Sequence, residues 1–257
     1  MTRDFTQDKL KEILIALMGS GYTFQTFGDF IAFPGERTVI LRHDVDRLPE
    51  NSLETAKMEQ TLGIVGSYYF RIVKGSYDPG VIVGIGKLGH EIGYHYEDLT
   101  LTSGNNERAI KSFINNLEKL RQFFPVKTIC MHGSPSSGLD NRDIWKTYNY
   151  KNYGITGEPY FDLDFEKVLY LTDTGRRWDG EKWSVRDKVR QDKFKLLKEG
   201  IKTSDDLIIA ARNNLLPDVI MITIHPQRWD NNFLKWMVEA VVQKIKNSIK
   251  RLVFVKH

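Results

Sequence analysis

Cysteine is nearly absent from this chain: Cys130 stands alone among 257 residues. One thiol closes no internal disulfide and cannot build a Cys-rich zinc module, so an ordinary hydrophobic core must hold the fold. No stretch approaches the roughly 20 apolar residues of a membrane span. An excess of one charge is missing too, since 37 Lys and Arg against 33 Asp and Glu leave only +4. That charge is spread along the chain and argues against nucleic acid or a membrane surface as partner. The first 11 residues carry Asp4 and Asp8 and no apolar run, so no secretory signal is read there and a cytoplasmic protein is expected. There is no repeat, no low-complexity tract and no Gly-rich phosphate loop. With 41% hydrophobic and 12% aromatic residues, a single domain over residues 1–257 is expected.

What is present is an alternation of short apolar runs with helical patterns. Leu10, Ile13, Leu14, Leu17 and Met18 mark one face of an opening helix, stopped at Gly19 and Gly21. Residues 39–41, 65–72, 91–96, 128–131, 153–156, 168–172, 219–224 and 252–255 read as strands. Residues 50–62, 78–88, 106–124, 142–148, 204–213 and 233–249 read as helices, the fifth entered through Thr203-Ser204-Asp205-Asp206 with cap oxygens and first-turn acids. The order predicts an α/β fold on a parallel sheet, open or closed into a barrel. Residues 176–202, rich in charge and tryptophan, read as a long functional loop.

The polar residues gather where strands end. The first strand runs into Arg42-His43-Asp44-Val45-Asp46, the next into His95, Tyr96 and Glu97, and the later ones into His132, Asp173 and His225. In a parallel α/β fold those ends share one face, where loops build the site. One such residue is ordinarily a turn or cap residue; five strand ends together are not accounted for by capping. Imidazole with carboxylate suits a divalent metal such as zinc. His90, ahead of its strand's end, reads as structural, His257 as a frayed terminus, and Cys130 as a small core residue.

The runs Ile40-Leu41-Arg42-His43-Asp44-Val45-Asp46, Gly89-His90-Glu91-Ile92-Gly93-Tyr94-His95 and Ile222-Thr223-Ile224-His225-Pro226 resemble the ordered motifs of the polysaccharide deacetylases, the NodB-homology family. Within it, the branch found in O-antigen and lipopolysaccharide biosynthesis is the most similar. The resemblance spans residues 39–230. It implies a distorted (β/α) barrel of about seven strands and a metal-dependent hydrolase that deacetylates a sugar or nucleotide sugar. Carried over, Asp44 matches the catalytic base, Asp46 a metal ligand, His95 the first histidine of the metal pair, and His225 the general acid. Asp173 with Trp178 resembles a late Asp…Trp motif; beside His225, Asp173 would either orient the imidazole or hold it in the charged form. Residues two apart in an extended strand end face one side, so Asp44 and Asp46 can reach one pocket.

The chain departs from the family at Leu99, where the second metal histidine is expected. Leucine binds no metal, so the third ligand must come from elsewhere, first His132 and then Glu97. His132-Gly133-Ser134-Pro135 also replaces the usual Arg-containing motif. Trp178, Tyr94 and Tyr96 read either as stacking faces for a sugar ring or as packing. Three rivals stand beside the deacetylase. One is a glycosyltransferase using Asp44-Val45-Asp46 as a DxD site. The others are a non-catalytic carbohydrate-binding protein and a hydrolase of a small non-sugar amide.

Overall fold

The strand that organises the molecule is β2 (Thr38–Val45), all eight of whose residues are buried. The structure is a computed structural model and describes residues 3–133, 137–179 and 189–254. In chain order, α1 (Gln7–Gly19), β1 (Thr23–Gln25) and α2 (Phe27–Ala32) precede β2. Then come α3 (Pro49–Thr61), β3 (Ser67–Phe70), α4 (Pro79–Lys87), β4 (Glu91–Tyr96), α5 (Asp98–Leu101), α6 (Asn106–Arg121) and β5 (Ile129–Met131). The second half adds α7 (Pro159–Asp162), β6 (Leu169–Thr172), α8 (Lys195–Gly200), α9 (Ser204–Arg212), β7 (Val219–Ile224) and α10 (Phe233–Phe254).

Among the described residues every pairing is parallel, in the order β5-β4-β3-β2-β7-β6. β1 and β3 divide one edge of β2: β1 pairs Thr38 to Ile40, and β3 pairs Arg42 to Val45. The sheet is curled, because Cys130 of β5 and Tyr170 of β6, from its two ends, lie in one apolar cluster with Ile40, Tyr69 and Met221. Phe27 and Phe30 of α2 complete that interior cluster. Gly93 makes the curl possible, since a Cβ there would stand 2.4 Å from the Tyr69 ring. This is the distorted barrel expected; among the described residues β5 and β6 do not pair, so it is left open there. Two larger clusters lie outside the curl, one carrying Val39 and Leu41 under α1 and α9, the other Val45 under α4 and α6.

Local signals act where expected. Thr203 and Asp206 form a reciprocal capping box on α9, a motif that satisfies two of the backbone N–H groups a helix start leaves open. Four expectations need correction. The strand expected at 153–156 is instead a 3₁₀ turn, Tyr150–Tyr153, after which Gly154 takes φ 72°, a left-handed conformation that breaks any extended run. Residues 142–148 form a 3₁₀ stretch, Asn141–Lys146, rather than an α-helix. The strand expected from 252 is the end of α10, which meets neither glycine nor proline between 233 and 254 and continues through it; Val255 and His257 lie outside the described residues. β1 and α2 are additions to the expected elements, β1 being only three residues long. Of the loop expected at 176–202, α8 is helical and residues 180–188 lie outside the described residues.

Candidate active site

Strand parity delivers the site. Along β2 the side chains that follow Ile40 into the curl are Arg42, Asp44 and, just past the strand, Asp46; on β4 it is His95 after Gly93, beyond β5 His132 after Cys130, and beyond β7 His225 after Met221 and Thr223. An apolar floor thus gives way to a polar layer at the C-terminal ends of the strands.

Three atoms converge there. Asp46 Oδ1 lies 3.1 Å from His132 Nδ1 and 3.6 Å from His95 Nε2, and the two imidazole nitrogens are 3.2 Å apart. Ligands about 2.0–2.1 Å from a tetrahedral ion stand about 3.3 Å from each other, so the residues present fit a divalent cation. Two further observations agree. Asp46 Oδ1 is buried and accepts no hydrogen bond, while Gln227 Nε2 donates to Asp46 Oδ2 at 3.2 Å and fixes the carboxylate's roll. His95 donates from Nδ1 to the carbonyl of Cys130 at 3.0 Å, which leaves the lone pair on Nε2, the nitrogen turned toward His132 Nδ1. Burial also pushes His95 down to about 4 despite the attraction of Asp44. Burial opposes the charge of Asp46, but His132, His225 and His95 outweigh it and hold its carboxyl well below the usual range.

His132 reaches this position because its N–H extends the β4–β5 pairing to the carbonyl of Tyr96 at 2.9 Å, and Asn141 Nδ2 holds its own carbonyl at 2.9 Å. Ser134 and Pro135 of the same run lie outside the described residues. Leu99 goes elsewhere: it sits on α5 in the outer apolar cluster, 4% exposed. Glu97, the other candidate ligand, is committed to a two-point pair with Arg71 (2.7 and 2.8 Å) and is 4.0 Å from His132 Nε2, on the imidazole's far nitrogen. A second trio, Asp44, His95 and Cys130, is also within 4.8 Å of itself, but it shares His95 and its carboxylate is already engaged.

That engagement is by Arg42, whose Nε and Nη2 donate to the two oxygens of Asp44 at 2.8 and 2.6 Å. Burial disfavours the charge on Asp44, yet Arg42 and His95 lower its pKa on balance. A carboxylate offers about four lone-pair sites; Arg42 takes two, and Asp44 Oδ2 stands 3.6 Å from His95 Nε2. Opposite, His225 Nδ1 meets Asp173 Oδ1 at 2.5 Å, and its Nε2 points to Asp46 Oδ2 at 3.9 Å. Burial and Arg228 oppose a charged His225, but Asp173 raises it on balance. Asp173 itself, buried, is held at about 2 by Arg228 and His225. It accepts from Arg228 Nη1 at 2.6 Å and from Trp229 Nε1 at 2.7 Å.

For three aromatics, burial favours packing over the stacking alternative. Trp178 is fully buried, donates to Ser204 Oγ at 3.0 Å and packs on Trp229. Tyr96 and Tyr94 are buried too, bonded to Glu158 and Asp98. None presents a face to a sugar. The tryptophan that serves Asp173 is Trp229. With Gln227 and Arg228 it belongs to Pro226-Gln227-Arg228-Trp229, the run that directly follows His225, and that adjacency was the signal from which all three could have been read.

No family profile and no curated sequence matches the chain. Among solved structures it is similar to the peptidoglycan deacetylase PdaC from Bacillus subtilis, with 13% identity, 84% of this chain and 86% of that one covered, and a TM-score of 0.43. A family 4 carbohydrate esterase from Bacillus anthracis gives 11%, 92%, 85% and 0.41. PdaA of Bacillus subtilis, also titled a family 4 carbohydrate esterase, gives 15%, 86%, 82% and 0.39. Likeness of this degree says nothing about chemistry.

Proposed function

We propose that this chain is a metal-dependent hydrolase that removes an acetyl group from an acetylated sugar or nucleotide sugar, cleaving an amide C–N bond in surface-polysaccharide (O-antigen) biosynthesis. The observation that carries the reading is one polar layer holding a three-atom ligand set and, 3.9 Å away, a His–Asp pair. Asp46, His95 and His132 would hold the cation, and two imidazoles with one carboxylate suit zinc. When bound there, the cation would supply Lewis acidity for the acyl carbonyl. Asp44, on the lone pairs that Arg42 leaves free, takes the proton of the attacking water. His225, kept charged by Asp173, gives its Nε2 proton to the departing nitrogen, which cannot leave as an amide anion. The O-antigen setting rests on the resemblance of the 40–46 run alone.

The arginine clamp favours a second reading, a carbohydrate-binding protein without turnover, because a carboxylate held low is a weak base. Metal analysis of the purified protein, then acetate release from a panel of acetylated saccharides and nucleotide sugars, separates the two. Metal and acetate together support the hydrolase; sugar binding without acetate at any metal loading decides for the binding protein.

A further inference from the structure

Helix α10 is built with its polar side inward. Glu239 (8% exposed) and Gln243 (5%) face the body, Glu239 paired with Arg47, and Asn247 Nδ2 donates to the carbonyl of Gly175 at 3.0 Å. The outer side is apolar: Leu234, Val238, Val241, Ile245 and Ile249 are 53–64% exposed. Their spacing, i, i+4, i+7, i+11 and i+15, draws one continuous stripe on an α-helix. Lys244 borders it on one side and Lys235 and Lys246 on the other, all exposed. Lys235 stands 4.0 Å from Asp230, and among the described residues Lys244 and Lys246 make no ion pair. Glu239, the helix's one acidic residue, is turned away.

We propose that α10 docks flat on an anionic phospholipid surface. Exposed apolar side chains along several turns have no reason to face water, and lysines at both borders can bury their stems while their ammonium groups reach lipid phosphates. A second copy of the chain fits less well, because both borders are basic and lysines would meet lysines in either orientation of a symmetric pair. The small net charge of the whole chain, which spoke against a membrane surface, averages over this cluster, and attraction to a surface is local to the helix. Arg47 follows Asp46 and Gly175 lies two residues past Asp173. Docking therefore sets both loops about one helix diameter, 10–12 Å, from the lipid.

The test is co-sedimentation of the full chain with vesicles of phosphatidylcholine alone and of phosphatidylcholine with an equal part of phosphatidylglycerol. Binding is expected to be at least about tenfold stronger on the anionic vesicles and to weaken as salt screens it. Val241→Glu with Ile245→Glu is expected to lower it at least about tenfold, as an apolar face cannot insert with two charges on it; both side chains are exposed, so the thermal midpoint should hold. Lys244→Gln with Lys246→Gln should weaken only the anionic binding. No binding by the parent protein, or binding indifferent to the Val241/Ile245 pair, overturns the proposal. So does a concentration-dependent dimer that this pair of changes breaks while vesicles bind nothing, which would assign the stripe to a second copy.

Discussion

The two faces of β2 carry similar residues to opposite ends. Inward stand Arg42, Asp44 and Asp46 with His95 and His132; outward stands His43, stacked on Tyr68 (4.1 Å between rings) and 2.9 Å from Glu59 Oε1. On the outward face Tyr68 donates to Glu59 at 2.7 Å, and His90 accepts from the N–H of Gly66 and reaches the carbonyl of Ala56, each at 3.1 Å. His43, Glu59 and Tyr68 have no solvent exposure and His90 has 5%. Each cluster leaves a buried carboxylate oxygen without a hydrogen bond, Glu59 Oε1 outward and Asp46 Oδ1 inward, but the inward one keeps Asp46 20% and His132 14% exposed. Histidine with a carboxylate is therefore not by itself a site; access to the atoms that meet is what separates the two.

The contrast is broken most severely at Asp46. Asp46→Ala should lower metal affinity more than about 100-fold, because even groups behind a metal ligand are worth 10–100-fold. The fold should survive, as the side chain's hydrogen bond within it is a single long one, from Gln227 Nε2 to Oδ2 at 3.2 Å. Titration of metal into apoprotein reads this out, and unchanged affinity removes Asp46 from the ligands. Next is His225→Ala, expected to cut acetate release by about 10²–10⁴ while metal stays bound; an unaffected rate would take the general acid away from His225.

On the sealed face, Glu59→Ala should cost about 3–5 kcal/mol of stability, since it strands His43 and the Tyr68 hydroxyl in the core. Metal affinity of the folded fraction should be unaltered. A loss of affinity at constant stability would show that the two faces communicate.

Acid should erode the metal-free protein from the inward face. His95 sits at about 4 when folded against about 6.5 unfolded. Between those values the unfolded chain binds the extra proton, so stability rises with pH across the window and is lost as pH falls through it. That lowering corresponds to on the order of 3 kcal/mol. His90, also lowered by burial, adds in the same direction from the sealed face. Denaturant unfolding at stepped pH with chelator, for the parent and His95→Gln, divides the slope between them. An identical slope in the variant would put the whole effect elsewhere. The smallest change expected is Leu99→His, about 1–3 kcal/mol of stability for an unpartnered polar group in an apolar cluster, with metal affinity unmoved. Higher affinity would mean that α5 can bring position 99 to the site.

Much of this was legible in the chain. The parallel alternation, and the gathering of Asp44, Asp46, His95, His132, Asp173 and His225 at strand ends, follow from apolar runs closing on polar residues. Less legible was anything that depends on which way a loop turns after its strand. Trp178 and Tyr96 look in sequence like rim aromatics, and only packing against Trp229 and Trp145 shows them to be interior. His43 is adjacent to Asp44 in sequence, and one step of strand parity sends it to the other side of the sheet. The clamp of Arg42 on Asp44 obeys that same two-residue rule and was open to reading.

The placement of His132 has a consequence for how the chain and an ion depend on one another. A histidine pair four residues apart is close together even in a disordered chain, so an unfolded protein carrying one retains affinity for metal. Here the ligand positions 46, 95 and 132 belong to three separate strand ends and come together only when β2, β4 and β5 have assembled. An ion bound at all three thus discriminates sharply between the ordered and the unfolded chain. Added metal should raise the unfolding temperature by nearly the full mass-action amount, with little subtracted for binding to the denatured ensemble.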